Sequence, residues 1–114
     1  MSKTVFNASD DQLAKIMVNA INASLPAGMG FMHFRPGEIS VEDFRKVATG
    51  SNFTSVDYFQ GRMVKLYAFK RPDGSYQFRG TPDVEYQSWA RKYSSYSELL
   101  DSAGVSHTIE DDHA

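Results

Sequence analysis

The residues best suited to chemistry lie between Phe59 and Gly80, where Arg62, Lys65, Lys70, Arg71 and Arg79 stand against a single acid, Asp73. Aromatic residues interleave with these cations. Alternation along an extended chain puts Met63, Lys65, Tyr67 and Phe69 on one face, and a returning strand adds Gln77 and Arg79 to it. Rings beside cations suit a nucleotide or single-stranded nucleic acid: Tyr67 and Phe69 stack on bases, while Arg62, Lys65 and Arg79 neutralise phosphate. A stacked base is worth about 1–3 kcal/mol, so two rings and two or three cations are enough for roughly micromolar affinity. The competing reading is structural. A hairpin covered on both faces holds the same rings in the core and lets the cations reach outward along their stems.

A second segment, Met29-Gly30-Phe31-Met32-His33-Phe34, is rich in methionine and aromatic residues. Methionine repacks readily, so Met29, Phe31, Met32 and Phe34 form a candidate protein-docking surface, with a core strand as the plainer alternative. Catalytic patterns are missing. The sequence has no GxSxG, P-loop, GxGxxG or HExxH. Cysteine is absent, which removes disulfides, thiol nucleophiles and cysteine-held metals. His33 is the one histidine away from the C-terminal stretch, too few for a zinc site, and no cofactor is implied. The acid pairs Asp10-Asp11 and Glu42-Asp43 fall where helix N-termini attract negative charge.

The elements that position these residues can be read from periodicity and caps. Ser9-Asp10-Asp11-Gln12 is a capping box, and Leu13, Ile16, Met17, Ala20 and Ile21 predict an amphipathic helix over about 10–24. Pro26-Ala27-Gly28 ends it. The run 31–34 reads as a strand, and Ser40 caps a second helix over about 41–48 that Gly50 terminates. Arg71-Pro72-Asp73-Gly74 is a type I turn signature with glycine in the left-handed position. It closes a 63–79 hairpin in which Arg71 pairs with Ser75, Ala68 with Phe78 and Tyr67 with Arg79. Val64, Leu66, Ala68, Tyr76 and Phe78 then form its other face. Thr81-Pro82 opens a third helix with Tyr86, Trp89, Ala90 and Tyr93 as its stripe, and Ser95-Tyr96-Ser97-Glu98 opens a fourth that ends at Gly104. The two stripes are in phase, so one bent helix over 82–103 is the alternative. Helix, strand, helix and basic hairpin also suggest a winged helix. However, Ser51–Ser55 leaves no room for a recognition helix, and Glu42 and Asp43 spoil the preceding one for phosphate.

The segment Val56-Asp57-Tyr58-Phe59-Gln60-Gly61-Arg62-Met63-Val64-Lys65, the hairpin after it, Tyr86-Gln87-Ser88-Trp89 and the stretch from Tyr96 to Gly104 together resemble small proteins encoded by phages and prophages. The DYxxGRxxK opening and the closing aromatic helix carry the likeness, over about residues 56–104. The resemblance implies a stand-alone accessory factor that binds a host enzyme, a defence component or a nucleotide signal, with Asp57, Arg62 and Lys65 as ligand groups. The Asp57–Arg62 spacing equally suits a structural ion pair about a bulge at Gly61.

Composition sets the frame. The 114 residues are 41% hydrophobic and 23% charged with a net charge of −2, so they support one core and exclude wholesale disorder. No uncharged apolar run reaches the roughly 18 residues of a membrane span, and MSKTVF lacks a secretion-signal pattern. The sequence therefore predicts a cytoplasmic, single-domain α+β protein. Its expected core is a small antiparallel sheet built on the 63–79 hairpin, packed by about four helices over 1–104, with a flexible acidic tail at 105–114. The function expected first is non-enzymatic: a phage-type accessory protein that binds and modulates, by inhibition, a host or defence macromolecule. A nucleotide or single-stranded nucleic-acid binder using Arg62, Lys65, Tyr67, Phe69 and Arg79 is the alternative, and a minimal enzyme the third reading. The sequence leaves the oligomeric state open.

Overall fold

The computed structural model describes residues 2–24, 40–42, 55–59 and 62–111, with the backbone alone described over 55–59, 62–65 and at 111. Strand β1 (Ser2–Phe6) leads into helix α1 (Asp10–Ser24). Strands β2 (Ser55–Phe59) and β3 (Arg62–Tyr67) form an antiparallel pair with a register shift between Val56 and Tyr58. Strand β4 (Phe69–Lys70) and strand β5 (Tyr76–Arg79) flank the turn at Gly74. A 3₁₀ turn (Ser88–Arg91), helix α2 (Tyr96–Ser102) and strand β6 (His107–Asp111) complete the order.

The main sheet is four-stranded and antiparallel, in the order β4-β5-β1-β6. This corrects the expected architecture. The sheet is centred on the N-terminal strand, which pairs Thr4 with Phe78 on one side and with Ile109 on the other. The 63–79 hairpin is split. Chain leaving the turn stays with β5 for two residues, Phe69 opposite Gln77 and Lys70 opposite Tyr76, and then passes at Ala68 into the separate β2–β3 pair. Tyr67 therefore faces Ser55 across the ladder instead of Arg79. The local register around the turn is the one the sequence predicts. The Arg71 amide donates to the Ser75 carbonyl at 2.7 Å, and Gly74, at φ +91°, donates to the Arg71 carbonyl at 2.9 Å. Asp73 accepts from the Ser75 amide and hydroxyl at 2.9 and 2.5 Å, and these bonds hold its carboxyl below the usual range.

The stretch expected as a solvated tail contains β6. Its five residues pair with β1 from His107–Phe6 to Asp111–Ser2. Helix number is the other correction: the described residues hold two α-helices where about four were expected. In α1 the Ser9 box forms as read, Gln12 Oε1 accepting from the Ser9 amide at 2.8 Å and Ser9 Oγ from the Gln12 amide at 3.2 Å. Residues 41–42 are helical, and the rest of the expected 41–48 helix lies outside the described residues. The third helix is replaced by turns. The Asp83 carboxylate accepts from the Glu85 amide at 3.0 Å, and its carbonyl from the Gln87 amide at 2.7 Å. Gln87 Oε1 returns to the Asp83 amide at 2.7 Å. The Gln87–Asp83 backbone bond closes one turn of helical type that goes no further, and only Ser88–Arg91 winds, as 3₁₀. Ser95 is extended at φ −141°, ψ 162°, which interrupts any single 82–103 helix. It caps α2 by accepting from the Glu98 amide at 3.1 Å.

Burial gathers these elements into one cluster. Phe6 and Phe78 from the sheet, Leu66 and Ala68 from the strand that changes sheets, Trp89, and Leu99 and Leu100 from α2 surround α1. Their alternation along the strands is what burying one face of a sheet requires. Phe78 stacks on Tyr96 at 4.6 Å and lies 5.0 Å from the Phe6 ring. Asn19 Nδ2 donates to Ser102 Oγ at 2.9 Å and fastens α1 to α2. No helix among the described residues is long and apolar enough to cross a membrane.

Candidate functional site

The site forms where the chain leaves β3 for β4. Leu66 and Ala68 turn inward and are 2% exposed, so the residues between and beyond them, Tyr67 and Phe69, turn out. They are 55% and 44% exposed, which removes the reading that both rings belong to the core. The two rings touch, with centroids 4.6 Å apart and planes inclined at 59°. Edge-to-face pairing of this kind suits the ring quadrupoles and holds one ring against the other.

Arg79 completes the group from the neighbouring strand. Phe69 is the register partner of Gln77, and Arg79, two residues on, shares that face. Its guanidinium carbon lies 5.3 Å from the Phe69 ring centroid. At an exposed site such a cation–π contact contributes about 0.5–1 kcal/mol, enough to bias the rotamer of a long side chain while leaving its donors in water. Three of the five residues read from the sequence, Tyr67, Phe69 and Arg79, are thus brought together. Arg62 and Lys65 lie in β3, Arg62 opposite Phe59 in the ladder, and their side chains are outside the described ones. The docking candidates Met29, Phe31, Met32 and Phe34, and His33 with them, lie outside the described residues.

Two neighbours escaped the sequence reading. Lys3 pairs directly with Arg79 across β1 and β5, so it stands beside the guanidinium on the outer face. Gln77 sits on that face between Phe69 and Val5, yet is 7% exposed, which places an amide in the floor beside the ring. The signal for Lys3 was the alternating Lys3-Thr4-Val5-Phe6, with β-branched and aromatic residues characteristic of a strand.

Other cations of the segment have different work. Arg71 Nη1 lies 3.2 Å from Glu110 Oε2, joining the end of the turn to strand β6 on the opposite edge of the sheet. Lys70 falls on the other face by alternation. Outward on this face, among the described residues, are two rings, the Arg79 guanidinium and Lys3, with Glu110 opposite Lys3 across β1 and β6: a surface whose rings and guanidinium suit a flat, anionic ligand. Among the described residues no group of three or more His, Cys, Asp or Glu is placed to hold a metal ion.

No family model, curated protein sequence or solved structure matches the chain, so the geometry of this face carries the functional argument.

Proposed function

We propose that the protein is a binding module without catalytic activity, and that it holds single-stranded nucleic acid or free nucleotides against the face formed by Tyr67, Phe69 and Arg79. The observation that carries this reading is the pair of touching, half-exposed rings with a guanidinium over one of them. Rings left in water make poor structural material. They make good stacking surfaces, because every base has a π-face and stacking is nearly indifferent to sequence. Arg79 and Lys3 supply the phosphate-neutralising charge on a chain whose net charge is only −2, so attraction is local to this face. Such a face suits the accessory role that the phage-type resemblance of residues 56–104 implies, that of a small cytoplasmic factor modulating host or defence machinery through a nucleic acid.

Protein purified without nuclease is expected to show an elevated 260/280 nm absorbance ratio, and its melting temperature to rise with added oligonucleotide or nucleotide. Arg79→Ala is expected to weaken binding and to lower the slope of log affinity against log salt by about 0.7, the increment for one phosphate contact on a single strand. An unchanged melting temperature across nucleotides and oligonucleotides of varied composition would refute the proposal.

A further inference from the structure

Among the described residues strand β6 is one edge of the main sheet, and it differs from the other edge in length. Strand β4 offers two residues, too few to template a neighbour, whereas β6 offers five, His107-Thr108-Ile109-Glu110-Asp111. An exposed strand edge presents unpaired backbone donors and acceptors, and proteins ordinarily blunt such edges with proline, with bulges or with lysine. β6 carries no proline, lysine or bulge, and its register with β1 is unbroken along its whole length; the charges it does carry are the acids Glu110 and Asp111. In its middle stands Ile109, 60% exposed, the most exposed large apolar side chain among the described residues.

The sequence of this edge is self-complementary. An antiparallel two-fold through residue 109 sets Ile109 against its own copy, Thr108 against Glu110 and His107 against Asp111. The acids at 110 and 111 then lie at opposite ends of the pair, each opposite a neutral or basic residue and never opposite another acid. Shifting the two-fold to residue 110 sets Glu110 against itself, and like charges directly opposite one another are destabilising. Glu110 is moreover held at 3.2 Å by Arg71 of its own chain, so it brings no uncompensated charge to the seam. Central isoleucines covered by each other, with flanking charges in register, define an isologous contact in which the same surface serves both subunits.

We infer that a second copy of this chain is the partner of β6, and that two chains pair these strands antiparallel about Ile109 into one continuous eight-stranded sheet. The contact is separate from the Tyr67–Phe69–Arg79 face, so a dimer presents two such faces.

Sedimentation equilibrium at about 0.2 mM detects association with micromolar constants. The wild-type chain is expected to show twice the 12.8 kDa mass of the monomer. Ile109→Lys and Ile109→Glu each place like charges opposite one another, so each variant alone is expected to sediment as a monomer with an unchanged circular dichroism spectrum. Mixed in equal amounts, the two are expected to recover the dimer, because Lys then faces Glu across the seam. A monomeric wild type, a dimer that survives Ile109→Lys, or a mixture that stays monomeric with both variants folded would each overturn the inference.

Discussion

Replacing Phe6 by alanine tests the placing of the N-terminal strand at the centre of the sheet. Phe6 is 2% exposed, and its ring lies 5.0 Å from Phe78 and 5.7 Å from Tyr76. Truncating a phenylalanine in such a setting removes its transfer free energy and leaves a cavity, together about 3–5 kcal/mol. That is a large share of the roughly 5–15 kcal/mol by which a domain is stable. An unfolding entropy of about 2.1 cal/mol/K per residue amounts to roughly 0.24 kcal/mol/K for 114 residues, so each kcal/mol moves the melting temperature by about 4 °C. Phe6→Ala is therefore expected to lower it by about 12–20 °C in calorimetry. The control is its neighbour. Val5 points to the outer face and is only partly covered, so Val5→Ala is expected to cost about 1 kcal/mol or less. Urea unfolding of both variants should give the same ranking. A fall of less than about 4 °C for Phe6→Ala, or an equal fall for Val5→Ala, would refute both the register and the central position of β1.

Two further outcomes follow from local geometry. Gly74 sits at φ +91° with nothing within 4 Å of where a Cβ would stand, so Gly74→Ala is expected to cost only the left-handed backbone penalty, about 1–2 kcal/mol by urea titration; a much larger loss would contradict the open turn. Tyr96 is buried and its hydroxyl accepts from Gln87 Nε2 at 3.0 Å; burial raises its pKa above 10.0, so the fold favours the neutral phenol. The resulting stability is complete below about pH 10 and declines as pH rises toward the raised value, because the unfolded chain ionises first. Urea midpoints between about pH 9 and 11 are expected to fall more steeply for wild type than for Tyr96→Phe, and parallel declines would contradict the assignment.

What could be read from the sequence was what the chain decides locally. The box at Ser9, the cap at Ser95, the Gly74 turn and the inward–outward alternation of residues 66–69 each depend on neighbours a few positions away, and each is present, although the Glu98 carboxylate expected to return to Ser95 accepts from the Ser94 amide and hydroxyl. The central strand was not legible because SKTVF is short and its partners lie at 76–79 and 107–111, at the far end of the chain. Strand character of that kind is set by what a segment packs beside more than by its own preference. The same non-local pairing turned an acidic tail into β6. The helix expected from the stripe of Tyr86, Trp89, Ala90 and Tyr93 did not form. The period is helical, but the single turn that the Gln87 amide closes on the Asp83 carbonyl does not propagate: the chain winds only as 3₁₀ over Ser88–Arg91 and is extended at Ser95. Of the site, the shared face of Phe69 and Arg79 was legible from the register at the turn and Tyr67 from alternation, although Tyr67 pairs with Ser55 and not with Arg79 as expected, whereas Lys3 entered only with β1.

The central claim is that the two exposed rings stack on bases, and a fluorescence anisotropy titration of labelled oligothymidylate with wild type and the Tyr67→Ala/Phe69→Ala double variant tests it most directly. Both rings are substantially exposed, so the double variant keeps the fold. At about 1–3 kcal/mol per stacked base, the account predicts micromolar binding by wild type and a loss of about 30-fold or more in the variant. Equal affinities of the two proteins, or no binding by wild type, would contradict it.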